Sequence, residues 1–278
     1  MLSDCPTSLN PNQLEQFKRD GYLAFENALS AEEVDACRGR LAALVDTICA
    51  APNTRRTAHA VIDTNTRCMV QFEPGVDMDS LDATSRDLKV RKLMSYCNAD
   101  AYLDAATRSH ARIAPIVEAI LGADPIRFQD MALVKPPRIG SIKPWHQDNA
   151  YFAVVPLDQV LGVWIALDDA TIENGCMHVI RGGHRDGARC HYHDRDCEIL
   201  PDRVDADAAV PIELKAGGVL FFYGMLPHQT PPNRSDQRRR AMQWHYRGAH
   251  THEIAQDEYD TIFAEADGTP ASCAAAGR

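Results

Sequence analysis

No stretch of this chain approaches the roughly 18 uninterrupted apolar residues of a membrane-spanning helix. A transmembrane protein is therefore not expected. The opening residues, MLSDCPTSLNPNQLEQF, lack a basic segment followed by an apolar one, so no secretory leader is expected either. Nine cysteines are scattered without CxxC spacing, and their number is odd. That pattern favours free thiols in the cytoplasm over a disulfide framework. Positive charge is scarce as well. A net charge of −10 opposes non-specific attraction to nucleic acid or to an anionic membrane surface, since both need a positive field. Repeats, low-complexity tracts and long linkers are absent, which predicts one continuous domain over residues 1–278.

The sequence changes character along its length. The first part, to about residue 125, reads as mainly helical. Ser30 and Glu33 have capping-box spacing, and Val34, Cys37, Leu41, Leu44, Val45 and Ile48 recur with helical period. Ala51 to Thr66 is polar, contains Pro52 and reads as a loop or lid. A further helix is predicted over Ala111–Leu121, stopped by Gly122. From about Ile126 to residue 248, short apolar runs alternate with turn residues: FQDMALV, the segment around Trp145, VLGVWIAL, MHVI, VPIEL, VLFFY and AMQWHY. Many short strands at this spacing predict a barrel or jelly roll, and the whole an α+β fold with helices backing one sheet. Residues 249–278 read as a tail.

The sharpest chemical signal is Pro144-Trp145-His146-Gln147-Asp148. On a strand, residues i and i+2 share a face, so His146 and Asp148 can reach one ion. Two imidazoles and a carboxylate form a facial triad that suits ferrous iron and leaves coordination sites open. His228, which follows VLFFY, fits as the distant third ligand. Other histidines compete. His191 with His193, and His250 with His252, also stand at i, i+2, but both pairs lie in polar segments where solvated surface histidines are the plainer expectation. His184 is either a turn residue or a lining one, and His245 reads as a satisfied core histidine. Tyr151 and Phe152 are either cavity walls or ordinary core aromatics.

With these residues in place the chain resembles the phytanoyl-CoA dioxygenase (PhyH) family, nearest its domain-containing 1 branch. The resemblance runs from Gln13 to about His245. It rests on the Pro144–Asp148 motif, the stretch Leu161–Cys176, and His228 followed by Asn233, Ser235 and Arg239. It implies a double-stranded β-helix core, Fe(II) at His146, Asp148 and His228, 2-oxoglutarate as cosubstrate, and Arg239 gripping its distal carboxylate. Trp164, Met131 and Thr230 resemble further cosubstrate contacts. Gln129 shares a strand face with Met131 and joins them on that ground. An upstream lysine touches the cosubstrate in relatives, and Lys92 is the candidate. Relatives commonly carry Pro-Gly-Ser-His where this chain has Arg181-Gly182-Gly183-His184, and the stretch from there to Ile199 has no recognisable counterpart.

The implied reaction consumes O2 and a small-molecule substrate, releases succinate and carbon dioxide, and uses ascorbate as reductant in vitro. A carboxylate at position 148, where related halogenases have a small residue, favours hydroxylation or a related C–H oxidation. Two other readings stay open: a non-catalytic jelly roll that binds a small acid, and a zinc-dependent hydrolase. Strand parity makes its own statement about the arginines. In a strand from Arg239 to Tyr246, Arg239, Ala241, Gln243 and His245 face a ligand cavity, while Arg240, Met242, Trp244 and Tyr246 face the helices. Arg238 reads as a solvated charge.

Overall fold

The computed structural model describes residues 2–193, 196–265 and 267. Six α-helices stand among them: α1 (Pro11–Asp20), α2 (Ala31–Ala50), α3 (Ala83–Asp87), α4 (Ala101–Ser109), α5 (Ile113–Leu121) and α6 (Gln256–Ile262). The Ser30 hydroxyl accepts from the Glu33 N–H, and the Glu33 carboxylate accepts from the Ser30 N–H, so α2 begins on the expected capping box. All six of its predicted apolar positions are buried. Helix α5 ends at Gly122, as expected.

Two antiparallel sheets carry the rest. The larger has nine strands in the order β1 (Tyr22–Phe25), β14 (Val219–Tyr223), β9 (Val160–Ala166), β16 (Arg239–Arg247), β6 (Ile126–Lys135), β5 (Val90–Met94), β4 (Met69–Phe72), β3 (Ala60–Asp63), β2 (Thr54–Arg56). The smaller runs β13 (Ala209–Ile212), β10 (Met177–Ile180), β15 (His228–Thr230), β7 (Lys143–His146). Short pairs join β8 (Val154–Val155) to β17 (His252–Glu253), and β11 (Tyr192–His193) to β12 (Cys197–Glu198).

Alternation along the strands sets the layers. On β9, Val163 and Ile165 point into a large cluster with the helical residues Val34, Leu41, Val45, Ile116 and Val117. Trp164 and Ala166 point the other way, into a cluster with Leu220, Phe222 and Ala241 of the same sheet and Met177, Val179 and Ile212 of the smaller one. The large sheet is thus covered by helices on one face and by the second sheet on the other, which is the α+β arrangement expected.

Three expectations need correction. The first part of the chain is mainly helical, as expected, but it is not helical throughout: β1 lies there, and residues 54–94 contribute four strands to the large sheet. Ala51–Thr66 in particular is no loop or lid but the β2–β3 hairpin, in register Thr54↔Asp63 to Arg56↔Val61. Its outer strand is Thr-Arg-Arg, and charged residues on a short strand are what an unpaired sheet edge tolerates, so its polarity mimics a loop. The tail also holds structure, since Tyr259 and Phe263 at α6 are fully buried. Seven described cysteines are free, but Cys197 is disulfide-bonded.

Candidate active site

His146 is the last residue of β7, and Asp148 opens a 3-10 turn (Asp148–Tyr151) rather than continuing the strand. The intervening Gln147 keeps extended backbone (φ −113°, ψ 128°), so the two flanking side chains still share a face. Strand β15 pairs with β7 at His228↔His146. The two rings lie 4.2 Å apart between centroids. Asp148 Oδ1 is 3.3 Å from His146 Nε2, and Oδ2 is 3.7 Å from His228 Nε2. All three side chains are buried, with their ligating atoms within 4.8 Å of one another.

Protonation follows from the partners. His146 Nδ1 lies 2.8 Å from the Pro144 carbonyl, and His228 Nδ1 lies 2.9 Å from that of Leu226. A carbonyl can only accept, so both Nδ1 atoms carry hydrogen, and on both rings Nε2 is the atom turned toward Asp148. Burial, and then the neighbouring His146, push His228 down to about 3, which keeps it neutral. Burial opposes ionisation of Asp148, but His228, His245 and His146 outweigh it and hold the carboxyl well below its ordinary range. Two imidazoles and one carboxylate are a donor set that suits a divalent ion of the iron type.

Behind the triad stands a residue the sequence reading left in the core. His245 Nε2 is 2.8 Å from Asp148 Oδ2, and Gln243 Nε2 donates to the same oxygen at 3.1 Å. Both project from the β16 face that strand parity assigns to the cavity. Gln147, fully buried, faces away and ties the motif down: its amide donates to the carbonyls of Gly187 and Met225 and accepts from the Arg189 N–H. Its backbone N–H donates to His191 Nε2 at 2.9 Å. His191 is therefore no solvated surface histidine but a buried acceptor, whereas His250 and His252 are exposed as expected. His184 stacks on Tyr223 and lies 3.0 Å from the Lys18 carbonyl, away from the triad.

The triad lines a cavity of about 430 Å³. Lys92, Gln129, Met131, Thr230 and Arg239 line it too, as do Tyr151 and Phe152. Trp164 is fully buried beneath Arg239, whose guanidinium carbon sits 5.4 Å from the indole centroid. Arg239 is 1 % exposed. Its described partners are two carbonyls, Leu133 at 3.2 Å and Gly175 at 3.3 Å, and its Nε has none. Burial lowers it to about 10, so it remains a cation at neutral pH. Gln129 Oε1 is likewise buried without a partner.

Other motif residues support Arg239. Gly175 (φ +86°) presents the accepting carbonyl, and a Cβ there would meet the Pro231 carbonyl at 2.3 Å. Asn233 donates to the carbonyls of Lys135 and Gln237, and Ser235 donates to Asn233, fixing the turn that leads into β16. Arg238 is not a solvated charge. It grips Asp87 through both terminal nitrogens, while Arg240 on the helix-covered face forms a bidentate pair with Asp168.

A carboxylate flanked by two imidazoles, enclosed between two antiparallel sheets beside a buried arginine, is an arrangement that suits a non-haem oxygenase. A phytanoyl-CoA dioxygenase (PhyH) family model matches residues 17–241, and the chain belongs to that family of oxygenase enzymes. Phytanoyl-CoA dioxygenase domain-containing protein 1 of Danio rerio is 27 % identical over 260 residues, covering 85 % of this chain and 89 % of that protein. The 2-oxoglutarate complex of EvdO2 from Micromonospora carbonacea var. aurantiaca superimposes with a TM-score of 0.64 at 25 % identity, covering 92 % and 96 % of the two chains. EctD from S. alaskensis, solved with bound Fe, reaches 0.66 at 20 % identity over 86 % and 77 %, a likeness of fold. No helix among the described residues is long and apolar enough to cross a membrane.

Proposed function

We infer that the chain is an Fe(II)- and 2-oxoglutarate-dependent dioxygenase that oxidises a C–H bond of a small organic molecule. In this reading residues 1–278 form one catalytic domain, and the two facing sheets are a double-stranded β-helix. His146, Asp148 and His228 would hold the iron. Arg239 and Thr230 would take the distal carboxylate of 2-oxoglutarate, with Trp164, Met131, Gln129 and Lys92 around it. Iron and cosubstrate together supply the oxidising power, coupling loss of carbon dioxide from 2-oxoglutarate and formation of succinate to insertion of one oxygen atom of O2 into substrate.

The carrying observation is Arg239. A buried cation with no carboxylate against it is costly to leave so, and a bound dianion relieves that cost. It opens into the same cavity as the triad, and its planar fork matches a carboxylate bidentately. Tyr151 and Phe152 wall the cavity and restrict water around the reacting atoms. The chain's own contribution is orientation and shielding.

The test is succinate formation from 2-oxoglutarate with Fe(II), ascorbate and oxygen. Slow uncoupled turnover is expected without added substrate, inhibited by zinc, and lost in His146→Ala, Asp148→Ala and His228→Ala proteins that stay folded. Hydrolytic activity supported by zinc under anaerobic conditions would overturn the reading.

A further inference from the structure

Lys143 ought to face away from His146, since the two stand three positions apart on β7. It does not, and the reason lies in the register. Between the pairs His228↔His146 and Thr230↔Lys143, two steps along β15 match three along β7. The extra residue is a bulge, and it turns Lys143 into the cavity beside the triad. There Lys143 Nζ donates to the Tyr151 hydroxyl at 2.6 Å and pairs with Asp196 Oδ1 at 2.9 Å. The second oxygen of Asp196 is 3.7 Å from Arg91 on β5. One carboxylate thus bridges two cations at the cavity wall.

That wall carries more positive than negative charge. Lys135 points into backbone carbonyls of Ser141 and Thr230, and burial brings it down to about 6, so it adds no charge at neutral pH. On the reading above, the charges of iron and 2-oxoglutarate cancel, and Asp148 offsets one of Arg239 and Lys92. Asp196 offsets one of Lys143 and Arg91. Even with the buried Glu73 carboxylate behind Ser141 counted, net positive charge remains inside a partly desolvated cavity, where it attracts an anion.

We propose that the prime substrate carries an oxyanion, a carboxylate or a phosphate ester, and that Lys143 and Arg91 bind it at the position the Asp196 carboxylate now occupies. The resident pairing shows how an incoming oxyanion fits: one oxygen on each cation. Tyr151, hydrogen-bonded to Lys143 and edge-on to His146 with 6.3 Å between centroids, then lies between the anchored end of the substrate and the metal centre. The anion fixes one end, and the C–H bond to be oxidised lies beyond it. This deepens the proposed function and rests on it for the charge balance.

The experiment is equilibrium dialysis of hexanoate, hexyl phosphate and the neutral hexanamide against protein holding Fe(II) and 2-oxoglutarate without oxygen. The expected result is at least tenfold tighter binding of the anions than of hexanamide. The tighter of the two anions assigns the class. Lys143→Met and Arg91→Met should each remove most of that preference while the iron–2-oxoglutarate absorption is retained. Asp196→Asn should strengthen anion binding several-fold, a gain that a misfolded protein would not give. Equal binding of hexanamide and the anions would overturn the proposal, as would anion binding indifferent to all three substitutions. Should no iron–cosubstrate complex form, the same comparison is run on protein with neither, so failure of the parent reading is seen separately from failure of this one.

Discussion

Asp148 has one oxygen turned toward His146 and the other tied by His245 and Gln243. The His245 ring nitrogen Nδ1 is buried without a partner, so its hydrogen belongs on Nε2 and is donated to the carboxylate. Such support orients a ligand and fixes its charge. Replacing His245 with Ala should therefore weaken Fe(II) binding roughly 10- to 100-fold, measured by competition with a metal-binding dye, while circular dichroism stays that of the folded protein. Unchanged iron affinity would make His245 a packing residue only. Nothing local in the sequence distinguishes the two roles; the cavity-facing parity of β16 was the available signal, and it grouped His245 with Arg239 and Gln243.

Strand β16 is the element on which the site turns. Its register against β9, Ala241↔Ala166 through Arg247↔Val160, sets which side chains meet the second sheet and which meet the helices. Met242, Trp244 and Tyr246 lie in the helix-covered cluster and Ala241 in the inter-sheet one, as the alternation of large and small residues predicts. The same alternation separates three consecutive arginines. Arg239→Ala should raise the apparent Michaelis constant for 2-oxoglutarate well over tenfold, since losing a desolvated charge pair costs roughly 2–5 kcal/mol. Arg238→Ala should leave that constant nearly unchanged and lower stability by about 1 kcal/mol or less through loss of the partly exposed Asp87 pair. Steady-state kinetics and chemical denaturation on the same two proteins check both halves; a reversed ranking would mean a different register. The β7 bulge was not legible in this way. Period-two reasoning puts Lys143 on the wrong face, and only pairing with β15 reveals the extra residue.

Across the whole molecule, legibility followed length and regularity. Each apolar run predicted between residues 126 and 247 coincides with a strand, whereas β15 (His-Gln-Thr) and the two-residue β8, β11 and β12 correspond to no such run. The outer strands β2 to β5 are three to five residues long and hide in polar surroundings, because their stability comes from joining a sheet already formed by β6, β16 and β9. The candidate ligands His146 and Asp148 were readable because His-x-Asp needs only local parity. The cation wall was not, because Arg91, Lys143 and Asp196 come from separate parts of the chain. Arrangement of all these parts around one cavity carries the central claim, that iron and 2-oxoglutarate bind there together. Anaerobic titration of the protein with Fe(II) and then 2-oxoglutarate tests it most directly. The account predicts a weak visible charge-transfer band that saturates near one equivalent per chain and is absent in His228→Ala. A well-folded protein that binds both components yet develops no band would contradict it.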